Sequence, residues 1–146
     1  MKIYKVTRAP GGVITERVIC VVKQDKAFPE PIAYHLPHVV FHSPTGFECG
    51  YGGSGPADLA LSIMADHWGV DPKTMRQRIR GWTGEHGHAA DGVAGCYQDF
   101  KFEFIAAMHL KLGETAQITS YQIADWLAAR FLAVEQAAAK GGEGRS

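Results

Sequence analysis

The sequence predicts a single α+β domain in which a small N-terminal antiparallel sheet of about three strands is packed by three to four helices. Two observations lead to this fold class. β-Branched residues and turn signals are concentrated in the first forty residues, whereas apolar residues recur at helical spacing after residue 56. The chain has 146 residues, 46% of them hydrophobic, which is enough for one core. We expect the domain to span residues 1–139.

The predicted sheet begins with a hairpin. Residues 2–8 and 13–22 have the composition of strands, and Ala9-Pro10-Gly11-Gly12 between them is typical of a turn. Proline residues then divide the chain into short segments. Residues 32–36 and 39–41 are therefore predicted to be short or edge strands at most.

The first predicted helix follows a glycine-rich loop directly. Pro56 suits the first helical position with Gly55 as its cap, and Asp58 falls in the first turn. Gly69 suits the left-handed position after the last turn. Apolar residues cover a wide part of the circumference of this helix, so we expect it to be well buried.

Further helices are predicted towards the C-terminus. Asp71-Pro72 opens a short one, and apolar residues at three- and four-residue spacing extend the next from about Cys96 to Leu112. Thr119 and Gln122 form a capping box that opens the last helix, which continues to about residue 139. Residues 140–146 have no apolar side chain to anchor them, so a disordered tail is expected there.

Charge and cysteine content exclude several classes of protein. Fifteen basic and fifteen acidic residues give a formal net charge of zero, so any affinity for nucleic acid must come from a local patch. Three widely spaced cysteines do not form a disulfide framework. No signal peptide or membrane-spanning segment is predicted, and we expect a protein of the bacterial cytoplasm that does not bind membranes.

The glycine-rich loop of residues 42–56 has five glycines and allows three interpretations. The favoured one is structural: Gly52 and Gly53 provide positive φ angles and close backbone contacts, with Phe47 and Tyr51 as packing anchors. A phosphate site at the following helix is the second, although the lysine of a P-loop is missing. The third is a partner-binding loop. Its candidate binding residues are Glu48, Tyr51, Gly52, Gly53 and Ser54.

A second candidate surface lies on the short helix after residue 71. Its basic residues give residues 71–82 a net charge of +3, so the rest of the chain sums to −3. The candidate binding residues here are Lys73, Arg76 and Arg80. We predict that Arg76 and Arg80 are exposed and that Met75, Ile79 and Trp82 are mostly buried. This face could contact an acidic protein or nucleic acid.

No catalytic residue, metal ligand set or cofactor is predicted. The histidines at 35, 38 and 42, and His86 with His88 and Asp91, lack the spacing of a metal site. Cys49 is the only thiol in a loop, but the adjacent Glu48 would raise its pKa and make it a poor nucleophile.

Two motifs give the chain a resemblance to a family of small bacterial and phage-borne proteins of unknown function. They are the string HSPTGFECGYGGSGP at 42–56 and YQDFK at 97–101. The family string is close to HSPTGFEWGYGGSGP, so Cys49 stands where relatives have Trp. The segment 71–95 is longer than the usual connection and is interpreted as an insert of this chain.

The resulting expectation is a non-enzymatic binding protein whose partner is a host or phage protein complex. The resemblance suggests a phage or mobile-element origin and inhibition of a bacterial defence system such as CRISPR-Cas. Two alternatives stay open at this point: a nucleic-acid-binding module that uses the basic helix, and a nucleotide-binding protein or enzyme that uses the glycine-rich loop. The sequence does not indicate the oligomeric state.

Overall fold

A four-stranded antiparallel sheet and four helices form one α+β domain, as the computed structural model of residues 1–11, 14–24, 32–83 and 96–143 describes it. The strands are β1 (Lys2–Gly11), β2 (Ile14–Gln24), β3 (Ile32–His35) and β4 (Thr115–Thr119), in the order β3-β2-β1-β4. The helices are α1 (Ser54–His67), α2 (Pro72–Thr83), α3 (Cys96–Phe100) and α4 (Ser120–Glu143). A π-helical turn, Lys101–Ile105, continues α3.

The predicted hairpin is confirmed. β1 pairs with β2 from Lys2 opposite Gln24 to Ala9 opposite Arg17, and the register shifts around Pro10, which has no N–H to donate. β3 extends the sheet beside β2.

The prediction of about three N-terminal strands was one strand short. β4 comes from the C-terminal part of the chain and pairs with β1, with Ile118 opposite Tyr4. Its sequence, TAQIT, has three β-branched residues, but five residues with one strongly apolar side chain are too short a pattern to identify a strand. Its strand conformation depends on pairing with β1, which lies more than one hundred residues earlier in the sequence.

Helix α1 forms the centre of the core. All residues from Gly55 to Ala65 are buried, which confirms the prediction of a well-buried helix. It begins two residues earlier than predicted, with Gly53 rather than Gly55 as its N-cap. Pro56 is tolerated inside the first turn because N–H groups there have no intrahelical acceptor. Gly69 has the predicted positive φ, +68°.

The long helix predicted from Cys96 to Leu112 was wrong beyond residue 105. The α-helix ends at Phe100, and the N–H of Ala106 donates to the carbonyl of Lys101 at 2.8 Å to close the π turn. A π turn has more residues per turn than an α-helix, which changes the direction of the side chains that follow it. Phe100 and Ile105 are both fully buried.

The last helix begins as predicted. The N–H of Gln122 donates to Thr119 Oγ1 at 3.1 Å, and the N–H of Thr119 donates to Gln122 Oε1 at 2.8 Å, which completes the capping box. Helix α4 continues to Glu143, past the tail boundary placed at residue 140, and residues 144–146 lie outside the described residues. In the described part of the chain, no helix has both the length and the apolar character needed to cross a bilayer.

Candidate functional site

A buried carboxylate holds the first half of the glycine-rich loop against α1. Asp58 is fully buried and accepts backbone N–H groups from three consecutive residues, Phe41 at 3.2 Å, His42 at 2.8 Å and Ser43 at 2.9 Å. His38 Nε2 lies 2.9 Å from the same carboxylate. Asp58 is the fifth residue of α1, so its predicted place in the first turn was wrong. Its role is to fix the loop conformation.

A chain of side-chain hydrogen bonds connects the loop to α3. His42 Nε2 lies 2.7 Å from the hydroxyl of Tyr97, which also accepts from the amide of Gln98 at 3.1 Å. Burial lowers the pKa of His42. A neutral imidazole can accept a hydrogen bond from the Tyr97 hydroxyl at Nε2. The lowered pKa of His42 and this hydrogen bond therefore both favour the neutral imidazole.

Arg8 on β1 holds the second half of the loop. Its Nη2 lies 3.1 Å from Glu48 Oε1, and its Nε donates to the carbonyl of Leu110 at 2.8 Å. Glu48 Oε1 also accepts the N–H of Cys49 at 3.2 Å. Glu48 therefore connects the loop to the sheet, with about a third of its side chain exposed.

The environment of Cys49 keeps its thiol protonated. The side chain is buried, and burial raises its pKa, partly offset by the nearby Arg8 guanidinium. A protonated thiol is a weak nucleophile. All three cysteines are buried, and none of them forms a disulfide in the described part of the chain.

The glycines of the loop act differently from the prediction. Positive φ angles occur at Gly46 (+130°) and Gly50 (+88°) and not at Gly52 or Gly53. Gly52 lies close to Phe102 instead, and an added Cβ would lie 2.8 Å from the exposed Phe102 ring, which would have to move. Gly55 is restricted in the same way, because its Cβ would lie 2.7 Å from Cβ of Glu48.

Only one of the two predicted aromatic anchors packs inwards. Phe47 contacts the core and lies with its ring centroid 4.6 Å from that of His38. Tyr51 is 52% exposed, so its prediction as a packing anchor was wrong. Ser54, the first residue of α1, is also exposed.

The exposed Tyr51 belongs to a larger aromatic surface. Phe102 in the π turn is 60% exposed and packs beside Gly52, next to Tyr51 in the chain. Phe102 also borders a groove of about 620 Å³ between the π turn and α4. The groove is lined by Asp99, Phe102, Glu103, Trp126, Ala129 and Arg130. We call Tyr51, Phe102 and this groove the aromatic surface.

The groove wall is rigidly supported. Trp126 packs edge to face on Phe100 and Phe104, with ring centroids 5.5 and 6.1 Å away. The Arg130 guanidinium lies 5.7 Å from the Trp126 ring and forms an ion pair with Asp99. This groove was not predicted from the sequence, because Phe102 was assigned to one continuous helix. The available signal was that Phe102 lies two residues from both Phe100 and Phe104, a spacing that places it on the opposite side of a helix from them.

The exposure and burial predicted for the basic helix α2 are confirmed in part. Met75 and Ile79 are buried, Lys73 is exposed and Arg76 is half-buried. The side chains of Arg80 and Trp82 lie outside the described residues. Asp71 caps the helix, accepting the N–H of Thr74 at 2.9 Å.

The structure does not bring the two predicted groups of binding residues together. Ser54 begins α1, whereas Lys73 follows its C-terminal end. A helix of 14 residues is about 20 Å long. The loop and α2 are therefore two surfaces rather than one site.

A second polar cluster lies at the C-terminal end of α1. The carboxylate of Asp66 accepts the hydroxyls of Tyr4 and Tyr34, each at 2.7 Å, and the ammonium of Lys2 at 3.1 Å. Burial is the main cause that raises the pKa of Tyr4. These groups satisfy one another, so the cluster connects β1 and β3 to α1.

Metal ligation has no support among the described residues, where no group of three histidine, cysteine or carboxylate side chains converges. His38 and His42 are engaged by Asp58 and Tyr97, and His35 is exposed on β3. His86, His88 and Asp91 lie outside the described residues.

Comparison with known proteins bears on the loop and on α1. Residues 10–79 match the model of a family of unknown function (DUF6166). This confirms the predicted resemblance to a small family of unknown function. The match includes the glycine-rich loop and ends inside α2, within the segment interpreted as an insert. No curated protein and no solved structure matches the chain.

Proposed function

We propose that the protein is a non-enzymatic binding protein that recognises a protein partner through the aromatic surface. The observation that carries this proposal is the exposure of both Tyr51 and Phe102, the Phe102 ring lying against Gly52, the residue after Tyr51. Large exposed aromatic side chains cost free energy in water and mark interaction sites in folded proteins. Tyrosine, tryptophan and arginine are also the residues most enriched at binding hot spots.

The fixed backbone favours tight binding. Asp58 and Arg8 hold the two halves of the loop, and the Lys101 ammonium lies 4.2 Å from the centre of the Phe102 ring. A surface that is already ordered loses little conformational entropy when it binds. Phe102 and Trp126 therefore offer a partner a preformed apolar contact.

A protein fits this surface better than a small metabolite. The groove combines an aromatic wall with an arginine and two carboxylates, which matches the mixed composition of protein interfaces. In line with the resemblance, the partner is a host or phage protein complex, and the effect of binding is inhibition of a bacterial defence system such as CRISPR-Cas.

The side chains near the loop that belong to residue types common in catalysis have structural roles, which supports binding rather than catalysis. His42 accepts from Tyr97, Asp58 accepts the loop N–H groups, and the pKa of the Cys49 thiol is raised by burial.

The test is affinity capture from the native host with matched variants. Tyr51→Ser combined with Phe102→Ser should lose the specific partner, because the two aromatic contacts disappear. The control, Tyr121→Ser with Leu132→Ser, removes two side chains that are equally exposed (59% and 54%) but lie on α4 away from the loop.

Both variants should melt within a few degrees of the parent protein, since surface substitutions change stability by about 0.5 kcal/mol. Retention of the partner by the Tyr51 and Phe102 variant would contradict the proposal. An arm with Arg76→Glu and Arg80→Glu tests α2 as the competing surface.

A further inference from the structure

The face of the sheet that points away from α1 is uncovered among the described residues. Strand alternation assigns Tyr4, Val6, Cys20 and Val22 to the inner face, and all four are buried. The outer face carries the intervening residues of all four strands. They are Ile3, Lys5, Thr7, Ala9, Arg17, Ile19, Val21, Lys23, Ala33, His35, Thr115, Gln117 and Thr119, and each is exposed or half-buried.

The charge of this outer face is exclusively positive over the described strands. Lys5, Arg17 and Lys23 lie on it, and none of its described residues is acidic. Glu16 on β2 alternates to the other side, where its carboxylate lies 3.6 Å from Arg8. The whole chain has equal numbers of basic and acidic residues, whereas the described residues of this sheet face include basic ones only.

Two of these cations are close neighbours. Lys23 is opposite Ile3 and Lys5 is opposite Val21, so the two lysines are diagonal neighbours across β1 and β2. The pKa of Lys5 is lowered, and the neighbouring Lys23 amine is the main cause. Two ammonium groups repel each other at this distance, and an anion bound between them would relieve the repulsion.

The other polar groups of the outer face complement phosphate. Thr7 and Thr115 lie with their hydroxyl oxygens 2.7 Å apart, and the Gln117 amide follows on β4 opposite Lys5. Hydroxyl and amide groups can donate to phosphate oxygens, which only accept. This composition favours a polyanion of phosphodiesters over a protein surface, which would present donors as well as acceptors.

The centre of the face distinguishes a single strand from a duplex. Ile3, Ile19 and Val21 are half-buried aliphatic side chains between the cations. A single strand can turn sugars and bases towards such a surface, whereas a duplex presents mainly phosphates to a flat one. Arg17 and Lys23 are six residues apart on β2, or about 20 Å, so the face spans several nucleotides.

We propose that the outer face of the sheet binds single-stranded nucleic acid without sequence preference. The site is separate from the aromatic surface, and its action does not depend on the function proposed there. Among its described residues the face carries no Phe, Tyr or Trp, and His35 on β3 is the one ring that could stack on a base, so its affinity comes mainly from phosphate contacts.

The salt dependence follows from the number of cations. Each phosphate neutralised on a single strand contributes about −0.7 to the slope of log K against log salt concentration. Three cations give a slope of about −2, which corresponds to a loss of about fifteenfold in affinity between 50 and 200 mM salt. A dissociation constant on the order of 10 μM at low salt is the expected range for such non-specific binding.

The experiment measures fluorescence anisotropy of a labelled 20-nucleotide oligothymidine against protein concentration at several salt concentrations. The face variant, Arg17→Glu with Lys23→Glu, should weaken binding at least tenfold and reduce the slope to about −0.7. The control, Arg78→Glu with Lys111→Glu, changes the net charge by the same amount at two exposed residues outside the sheet face, neither of them a candidate binding residue. It should bind like the parent protein.

Further arms separate this proposal from its competitors. Lys5→Gln should weaken binding about threefold or more without reversing a charge, and melting curves show whether each variant is folded. Equal loss in the face and control variants, tighter binding of a duplex of the same length, or equally effective competition by polyglutamate would each overturn the proposal.

Discussion

Replacement of Asp58 by Asn is the most direct test of how the glycine-rich loop is held. The carboxylate is 0% exposed and accepts three backbone N–H groups and the imidazole of His38. Asn has nearly the same shape but only one acceptor oxygen. If that oxygen replaces Oδ2, the new amide N–H₂ faces the N–H of His42 and one hydrogen bond becomes a repulsive contact.

The size of the effect can be worked from these contacts. The lost bond costs about 1.5–3 kcal/mol, and the three remaining bonds lose their charged acceptor, at about 0.5–1 kcal/mol each. The sum is about 3–6 kcal/mol, similar to the cost of about 3–5 kcal/mol for breaking a buried ion pair. For a chain of this size, the melting temperature should fall by about 10 °C.

Urea denaturation followed by circular dichroism gives the free energy of unfolding directly. Asp125→Asn on the exposed surface of α4 is the control and should change stability by no more than about 0.5 kcal/mol. A cost below about 1 kcal/mol for Asp58→Asn would refute the view that this carboxylate fixes the loop.

Three further outcomes are expected. Gly50→Ala should cost about 2–3 kcal/mol in urea denaturation, since it combines a positive φ with an added Cβ 3.0 Å from the Met108 carbonyl, whereas Gly69→Ala has only the φ strain and should cost about 1 kcal/mol. The pKa of His42 is lower in the folded protein than the unfolded value of 6.5, so its stabilising contribution is present above pH 6.5 and is lost as the pH falls below it. His42→Asn should therefore reduce the loss of stability that is measured between pH 7 and pH 5. A pH profile unchanged by the substitution would contradict the lowered pKa. Millimolar ATP, GTP or NAD should leave the melting temperature unchanged, because the Glu48 side chain packs against the start of α1 where a phosphate would bind; a rise of several degrees would show a nucleotide site.

Local signals in the sequence were sufficient for elements whose conformation depends on neighbouring residues. The β1–β2 hairpin, the capping box at Thr119 and the left-handed Gly69 follow from backbone sterics and hydrogen bonds within a few positions. The broad apolar face of α1 also predicted its burial, whereas the burial of Asp58 and Ser62 on its polar side was not predictable from that pattern.

The candidate site was predictable only as a segment. Glycine content and the family resemblance pointed to residues 42–56, and Tyr51 was named as a binding residue. Which glycines have positive φ was not predictable, because Gly50 owes its conformation to the chain around Met108, which passes close to it. Phe102 and Trp126 were missed as parts of one surface, since they are far from the loop in sequence.

The sequence by itself determined the fold class, the positions of most helices and strands, and the absence of a net charge that would draw the whole molecule to nucleic acid. Only the tertiary structure decided that 115–119 forms a strand, that Asp58 serves the loop rather than the helix start, and that Lys5, Arg17 and Lys23 share one face. The physical reason is that strand pairing, burial of a carboxylate and segregation of charge depend on contacts between distant parts of the chain, which local periodicity does not record.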